Sequence, residues 1–238
     1  TRGTAEAFRS IADSDTRLVL ITNVPEGLTP KDYISCISVN ERAHGDSMGR
    51  GLGEYMVRHG LKYAGLICHG EQNFFATKQR DGAAEQVLTE EYPEIRVCGK
   101  VNFLTEVDVY RKLIGMYPEI QALYVSWDGP ALEVIKALTE LERTDIAIVT
   151  GDLDYAIAMQ MAQGGMVKMI SAQCPYEQGE AIAMVAANGL LGKAVPSFIE
   201  VEPISIDREN LLKNWKAIFK EDPPAALRNA INRSVGAL

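Results

Sequence analysis

The sequence has 238 residues, with 24 Lys or Arg against 32 Asp or Glu, so its net charge at pH 7 is -8. Binding to nucleic acid relies on clustered positive charge, and we therefore expect no nucleic-acid partner. Hydrophobic residues make up 47% of the chain, and no apolar run approaches the roughly 20 residues that a membrane-spanning helix requires. Length and composition predict a globular chain with one large domain or two smaller ones.

Cysteine and histidine spacing gives no support for a metal site. The four cysteines lie far apart without a C-x-x-C pattern, and we expect small buried hydrophobic side chains at Cys36, Cys68, Cys98 and Cys174. No two of the three histidines have the spacing of metal ligands on one helix face. We therefore expect neither a bound metal nor a cofactor.

Short apolar runs alternate along the chain with segments of helical periodicity. In chain order the expected strands are "RLVLIT", "YISCISV", "KYAGLICH", "IRVCGKV", "QALYVSW", "DIAIVTG", "KMISAQ" and "SFIEVE". This alternation predicts an α/β fold, with parallel sheets covered by helices. The runs are almost wholly apolar, as expected of strands that are buried on both faces.

Three of the predicted helices have recognisable ends. The first follows Asn40, a candidate cap, and stops at Gly60, and the second has Pro130 near its first turn. Pro175 suits the first position of a third helix, because its missing N–H has no intrahelical partner to lose there. Gln173 then lies at the carboxyl end of the preceding strand, where open α/β sheets bind ligands.

Polar and aromatic side chains recur where the predicted strands end, and they form a candidate binding site. They are Asn23, Phe75, Arg80, Trp127, Asp128, Asp152 and Gln173. We expect Phe75 and Arg80 in a loop after "GLICH", together with Asn73 and Phe74. Carboxylates and amides bond to hydroxyls, arginine offers a fixed fork of donors, and aromatic rings cover the apolar face of a sugar. Any one of them could equally be a loop polar or a helix cap, but the set favours a neutral polyhydroxylated ligand.

Three longer blocks and one short motif occur in a recognisable order. The blocks are "YPEIQALYVSWDGPALEVIKAL", "IAIVTGD" and "GGMVKMISAQCPYEQGEAIAMVAANGLLGKAVPSFIEVEPISIDREN", and the motif is the N-x-x-x-x-G of Asn40 and Gly45. Together they resemble the periplasmic-binding-protein type I family, and within it the ribose-like sugar-binding proteins of ABC transporters. The resemblance covers residues 17 to about 215, and the third block is its most specific part.

The resemblance implies a two-lobed α/β fold in which parallel sheets are flanked by helices. Residues 1–38 and 174–202 would form an incomplete first lobe, and residues 39–173 and 203–220 the second lobe, with a tail at 221–238. Family members carry a strand, helix, strand, helix and strand ahead of the segment that resembles "AEAFRSIADSDTRLVLITN". We therefore expect that an upstream segment is cleaved, disordered or replaced by a partner chain, since missing strands would expose sheet edges and apolar surface.

The resemblance also implies reversible, non-catalytic capture of a small sugar or polyol in an interlobe cleft. The ligand would contact Asn23, Arg80, Asp152 and Gln173, with the Trp127–Asp128 pair between them. The tight spacing of "NFFATKQRDGAAEQ" leaves Lys78 as an alternative to Arg80. Trp127 stands where ribose-like proteins tend to carry an amide, which argues for a ligand other than ribose.

The family further implies a membrane transporter permease as the protein partner. Such a protein would be a monomer in the periplasm or outside the cell, associated with the membrane through its transporter. It would have no catalytic residues.

Two other functions stay open on the sequence. The ligand-sensing domain of a lac-repressor-type transcription regulator has the same fold, although "VPSFIEVEPISIDRENLLKNW" is more similar to the transporter branch. A magnesium-dependent phosphoryl-transfer enzyme is less favoured. Asp152 and Asp154 follow an apolar strand two residues apart, as magnesium ligands do, but no nucleophile–base pair or partner lysine motif accompanies them.

Overall fold

The computed structural model describes residues 2–70, 74–103 and 108–235. The chain divides into two compact units, of which the first comprises Thr1–Asn40 and Cys174–Glu202 and the second Glu41–Gln173 and Pro203–Leu238. Among the described residues, no helix is both long enough and apolar enough to cross a membrane.

Helices and strands alternate along most of the chain, as the sequence predicts. In chain order they are α1 (Arg2–Ala12), β1 (Val19–Ile21), β2 (Ser35–Val39), α2 (Glu41–Arg58), β3 (Tyr63–Cys68), α3 (Phe75–Glu91), β4 (Arg96–Asn102), α4 (Val109–Met116), β5 (Ala122–Val125), α5 (Asp128–Glu140), β6 (Ala147–Gly151), α6 (Tyr155–Ala162), β7 (Val167–Ala172), α7 (Pro175–Leu190), β8 (Phe198–Val201), β9 (Ile204–Ile206), α8 (Leu211–Phe219) and α9 (Ala225–Val235).

The described part of the first unit contains a three-stranded parallel sheet. Strand β2 lies in the middle and pairs with β1 on one side and with β8 on the other. Every residue of β2 is buried, whereas β8 alternates between exposed and half-buried residues. Helix α7 packs against β2, and its first residue is Pro175, as predicted. Large apolar side chains of this unit are exposed to solvent, including Ile21 at 57%, Leu190 at 72% and Leu191 at 70%.

The second unit is built on a six-stranded sheet with the strand order β4-β3-β5-β6-β7-β9. All neighbours are parallel except β9, which pairs antiparallel with β7. The central strands β5 and β6 are buried along their whole length, which confirms the expectation from their apolar runs. Strand β4 has only one neighbour and is half-buried or exposed. For that reason Cys98 on β4 is half-buried rather than buried, and the prediction made for it is wrong.

The segment after β3 also differs from the prediction. Phe75 and Arg80 lie on helix α3 rather than in a loop. The helix continues through a run rich in alanine and long unbranched side chains, which are strong helix formers. Asn73, which was expected in the same loop, lies outside the described residues. Within the predicted tail, helix α9 packs against α6 and buries Leu227 completely.

Three glycines let helix α2 pack closely against α3. Gly45, Gly49 and Gly53 are four residues apart, so they share one face of the helix. A Cβ atom added at Gly45 would lie 2.0 Å from the backbone oxygen of Arg80, and one at Gly49 would lie 2.8 Å from that of Ala84. The backbone of α2 therefore lies directly against α3, and this contact sets where Arg80 enters the structure.

We expect Gly45→Ala to destabilise the second unit, although alanine is the better helix former. The added methyl group would overlap the Arg80 carbonyl, and we expect the free energy of unfolding to fall by about 2 kcal/mol. Gly82→Ala is the matched control, because Gly82 lies on α3 and a Cβ there would meet no atom within 4 Å. Its effect should be neutral or stabilising by up to about 1 kcal/mol. Urea unfolding of both variants checks this, and equal effects would refute the close-packing argument.

Candidate ligand-binding site

The candidate site lies at the carboxyl ends of β6 and β7 in the second unit. Asp152 directly follows β6, and Gln173 directly follows β7. These strands are parallel neighbours, so their carboxyl ends meet at the same edge of the sheet. The side chain of Gln173 donates a hydrogen bond from Nε2 to Asp152 Oδ1 over 2.7 Å. Two predicted site residues that are 21 positions apart are thus in direct contact.

Asp152 adopts a backbone conformation that is uncommon for residues other than glycine. Its φ angle is 62°, in the left-handed region that aspartate tolerates better than most side chains. Its backbone N–H donates to the Ser171 carbonyl over 2.8 Å, which ties the turn to β7. The carboxylate then meets two further groups, with Arg80 Nη1 3.5 Å from Oδ2 and His44 Nε2 3.4 Å from Oδ1.

Arg80 connects helices α2 and α3 with the ends of two strands. Its side chain is only 4% exposed. Nε donates to Glu41 Oε2 over 2.8 Å, and Nη1 donates over 3.1 Å to the carbonyl of Ser126, just after β5. Lys78, the alternative from the sequence, is exposed, and the structure brings Arg80 to Asp152 instead.

The charges of this cluster are set by burial and by the neighbours of each group. Burial lowers the pKa of Arg80, but the negative charges of Asp152 and Glu41 outweigh it, so the pKa of Arg80 is raised. Burial raises the pKa of Asp152, but the contact with His44 and the charge of Arg80 outweigh it and lower this pKa to about 2. Burial and the charge of Arg80 lower the pKa of His44. Near pH 7 the cluster therefore holds an arginine cation, an aspartate anion and a neutral histidine.

Trp127 and Asp128 lie at the neighbouring strand end, between β5 and α5. Asp128 is the first residue of α5, and its Oδ1 accepts a hydrogen bond from the Gly129 N–H over 2.7 Å. Burial raises the pKa of Asp128 to about 6, and the negative charges of Asp152 and Asp154 add to this shift. Asp128 is thus electrostatically coupled to Asp152.

The ring of Trp127 belongs to an aromatic cluster. Its centroid lies 5.0 Å from that of His69 and 4.9 Å from that of Phe103, which it meets edge to face. Phe74 also contacts His69, with 5.4 Å between the ring centroids. Trp127 is half-buried, so part of its surface packs inside the second unit and part reaches solvent.

The structure does not bring every predicted site residue together. Phe75 is 58% exposed in the first turn of α3, and Phe74 contacts the aromatic cluster. Asn23 follows β1 and belongs to the first unit. Its role in binding stays a prediction.

The sequence interpretation missed several buried polar residues that hold the site together. Glu41 and His44 lie on the buried face of α2, and both contact groups of the Arg80–Asp152 pair. Asp81, next to Arg80, accepts hydrogen bonds from Tyr124 and Ser126, each over 2.6 Å, and from the His69 backbone over 2.9 Å. The available signal was that polar residues of "NERAHG" and "KQRDGAAE" recur at helical spacing among small residues.

A comparison with known families assigns the chain. Residues 13–194 match the family described as the periplasmic binding protein domain, which is more than half of the sequence. The chain belongs to this family. The predicted family is therefore confirmed. No curated protein matches the chain with significance.

Solved structures of periplasmic binding proteins have the same fold. A glucose-galactose binding protein from Geobacillus stearothermophilus has 21% identity and a TM-score of 0.72, over 87% of this chain and 73% of that one. An ABC transporter solute-binding protein from Agrobacterium vitis, bound with α-D-tagatopyranose, has 15% identity and a TM-score of 0.75, over 91% and 74%. A carbohydrate transporter solute-binding protein from Agrobacterium radiobacter, in complex with D-arabinose, has 17% identity and a TM-score of 0.75, over 91% and 73%. These likenesses confirm the predicted fold class, that of periplasmic binding proteins of type I.

The raised pKa of Asp128 predicts how the stability of this family member depends on pH. Unfolded aspartates titrate at about pH 4. The folded state holds the Asp128 proton up to about pH 6, so its contribution to stability is present at low pH and is lost as the pH rises through this window. Asp128→Asn replaces the carboxyl with an amide that cannot ionise, so the stability that wild type loses on ionisation of Asp128 is kept. We expect the free energy of unfolding at pH 7 to rise by about 1 kcal/mol, after allowance for solvent screening.

Urea unfolding at pH 4 and at pH 7 measures this effect. Asp15→Asn is the control, since it removes the same charge at an exposed position of the other unit. The raised pKa would be contradicted if the urea-unfolding curves of wild type and Asp128→Asn coincided at both pH values.

Proposed function

We propose that the protein is the solute-binding component of an ABC-type transporter and that it captures a small neutral sugar or polyol without changing it chemically. Membership in the periplasmic binding protein family supports this proposal. The observation that carries it is the cluster at the ends of β6 and β7, where Arg80, Gln173 and His44 surround the Asp152 carboxylate. The side chain of Asp152 is still 27% exposed, so a ligand can reach it.

The charge of this cluster favours a neutral ligand. Among the described residues of the cluster the cation is Arg80, and it is close to the two carboxylates of Glu41 and Asp152. Asp128 adds a third carboxylate, which is mostly ionised at pH 7 because its pKa is about 6. A sugar acid or sugar phosphate would add negative charge beside uncompensated carboxylates, whereas hydroxyl groups can donate to them.

The residues at the strand ends suit the two surfaces of a sugar. Asp152 accepts hydrogen bonds from hydroxyl groups, and its low pKa keeps it an acceptor across the physiological range. The half-buried ring of Trp127 offers an apolar face to C–H groups. Relatives of this fold with bound tagatopyranose or arabinose, and one named for glucose and galactose, support the same class of ligand.

The wider biological role follows from the same proposal. The partner would be the permease of the transporter, and the protein would act as a non-enzymatic monomer in the periplasm or outside the cell. We further propose that the two compact units are the two lobes of the family fold, the first of them incomplete. Asn23 would be the contribution of the first unit to ligand binding.

The magnesium-dependent alternative has lost its main support. Asp154 caps helix α6, where its Oδ1 accepts a hydrogen bond from the Ile157 N–H over 2.7 Å. The guanidinium cation of Arg80 lies 3.5 Å from Asp152 Oδ2 and would repel a second cation there, although it would not repel a neutral hydroxyl group. Both aspartates of the suggested magnesium site, Asp152 and Asp154, thus have other partners in the structure. For the regulator hypothesis, no feature of the described residues favours it over the transporter.

Calorimetry with matched ligands tests the proposed function. D-galactose, D-glucose, D-arabinose and D-tagatose form the neutral set, and D-galacturonate is the charged counterpart of galactose. We expect at least one neutral sugar to bind and the acid to bind at least tenfold more weakly, owing to the carboxylates of Asp128 and Asp152. Preferred binding of the acid, or no binding of any polyol in a broader panel, would refute the proposal.

Asp152→Asn tests the residue at the centre of the site. Loss of the anionic acceptor should weaken binding of the neutral sugar by about tenfold or more, because a hydrogen bond to a charged group is worth about 2 kcal/mol. Asp145→Asn is the control, because Asp145 is an exposed aspartate of the same unit. Equal affinities for Asp152→Asn and Asp145→Asn would remove Asp152 from the site.

Tryptophan fluorescence tests the position of the ligand independently. The chain has two tryptophans, and the second, Trp215, packs against Phe219 in α8. In Trp215→Phe the remaining signal comes from Trp127, and the bound sugar should change its intensity or wavelength. Trp127→Phe should lose this response. If the fluorescence response is lost in Trp215→Phe and kept in Trp127→Phe, the ligand does not bind next to Trp127.

A further inference from the structure

His44 is the least accessible polar group of the cluster, and nothing in the sequence interpretation assigned it a role. Its side chain is fully buried on α2, one residue before Gly45. Nδ1 lies 2.7 Å from the hydroxyl of Ser171, a buried residue of β7. On the opposite side of the ring, Nε2 faces Asp152 Oδ1 over 3.4 Å, an electrostatic contact rather than a formed hydrogen bond, and Nε2 has no hydrogen-bond partner among the described residues. The imidazole therefore bridges β7 and the carboxylate that follows β6.

The contacts of His44 select one of its two neutral tautomers. Burial and the positive charge of Arg80 lower the pKa of His44, so a neutral ring with a single N–H is favoured at pH 7. The Asp152 carboxylate, whose pKa is lowered to about 2, can only accept a hydrogen bond. The Ser171 hydroxyl can either donate or accept. Only the tautomer with the proton on Nε2 directs an N–H, rather than a lone pair, at the carboxylate, with Ser171 as the donor to Nδ1.

Glycine at position 151 is part of the same arrangement. A Cβ atom there would lie 3.0 Å from His44 Nε2 and 2.9 Å from the Ser126 carbonyl oxygen. It would also lie 3.4 Å from Arg80 Nη1. The bare backbone of Gly151 thus leaves room for the imidazole of His44 and for the Ser126 carbonyl, whereas the distance to Arg80 would be an ordinary contact.

We infer that His44 is a positioning residue for the carboxylate that we propose as the ligand acceptor: its Nε2–H is directed at Asp152 Oδ1, the carboxylate selects this tautomer, and the Ser171 hydroxyl holds the other ring nitrogen. Arg80 faces the other oxygen, Oδ2, and Gln173 shares Oδ1 with the histidine. The carboxylate is held from three directions before any ligand arrives, which limits the entropy that binding has to remove. The link to ligand affinity rests on the proposed function, whereas the tautomer depends on the protein alone.

The tautomer is measured directly by ¹H–¹⁵N NMR of the histidine rings at pH 8, on the full chain without ligand. We expect the His44 spectrum to show a protonated Nε2 and an unprotonated Nδ1. His59 is an internal reference of the opposite kind, because its Nδ1 lies 2.8 Å from the carbonyl oxygen of Tyr55 and must donate to it. A protonated Nδ1 at His44 would overturn the inference, whatever the protein binds.

Asp152→Asn tests how the tautomer is selected. The amide that replaces the carboxylate can donate as well as accept, so we expect a mixture of tautomers at His44 while the pattern of His59 is unchanged. An unaltered His44 spectrum would show that the Asp152 carboxylate does not select the tautomer and would overturn that half of the inference.

Two substitutions of His44 separate positioning from packing. The amide nitrogen of His44→Gln reaches the place of Nε2, whereas that of His44→Asn reaches only the place of Nδ1. We expect His44→Gln to bind the neutral sugar within about threefold of wild type and His44→Asn to bind about tenfold more weakly. Equal affinities, with equal melting temperatures, would overturn the positioning role.

The two proposals fail in different ways. If the tautomer is as expected but no sugar binds to the wild type, the proposed function is wrong and the hydrogen-bonding arrangement stands. If a sugar binds and His44 carries its proton on Nδ1, the positioning role is wrong and the proposed function stands.

Discussion

A guanidinium that is almost completely buried has to be neutralised where it lies, because an uncompensated charge in the interior is strongly destabilising. Arg80 meets this requirement with Glu41 on one side and Asp152 on the other, while the Ser126 carbonyl accepts a further hydrogen bond. These partners come from α2, from the turn after β6 and from the end of β5. One buried charge thus ties together the elements that surround the candidate site.

This charge pairing depends on glycines, because a side chain at these positions would overlap neighbouring atoms. Arg80 can approach Glu41 and His44 only because α2 presents Gly45 to the backbone of α3. The imidazole of His44 depends in a similar way on Gly151, at the last position of β6, where a Cβ atom would lie 3.0 Å from Nε2. Packing and electrostatics are therefore not separate features here, since both glycines determine how closely the polar groups of the cluster approach one another.

Most of the fold follows from local sequence patterns. Apolar runs such as "AIVTG" and "ALYV" predict buried parallel strands, and Pro175 predicts the start of α7 correctly. The prediction failed where the burial of a strand depends on its neighbours. Cys98 lies in the run "IRVCGKV", whose Arg96 and Lys100 suit an edge strand, and β4 forms the edge of its sheet in the described structure. Strand order is a property of the whole sheet, and a single run of residues does not contain it.

The candidate site was predictable in part, for a similar reason. Asp152 and Gln173 could be placed together, because parallel neighbouring strands end at the same edge. His44 and Glu41 could not, because their roles depend on how α2 rotates and how closely it packs against α3. The spacing of Gly45, Gly49 and Gly53 indicates which face of α2 packs closely against a neighbouring element. Which residues of α3 lie opposite those glycines becomes known only once the two helices are in place.

Gln173 shows how a strand end can serve two purposes. It is the last residue of the second unit before the chain passes into the first, and Pro175 begins α7 two positions later. The pairing of β6 with β7, in which Gly151 lies opposite Ser171, brings the two strand ends together within the second unit. The glutamine side chain is thereby held next to Asp152, to which it donates its hydrogen bond. The residue at the carboxyl end of β7 therefore also orients the carboxylate that we propose as the ligand acceptor.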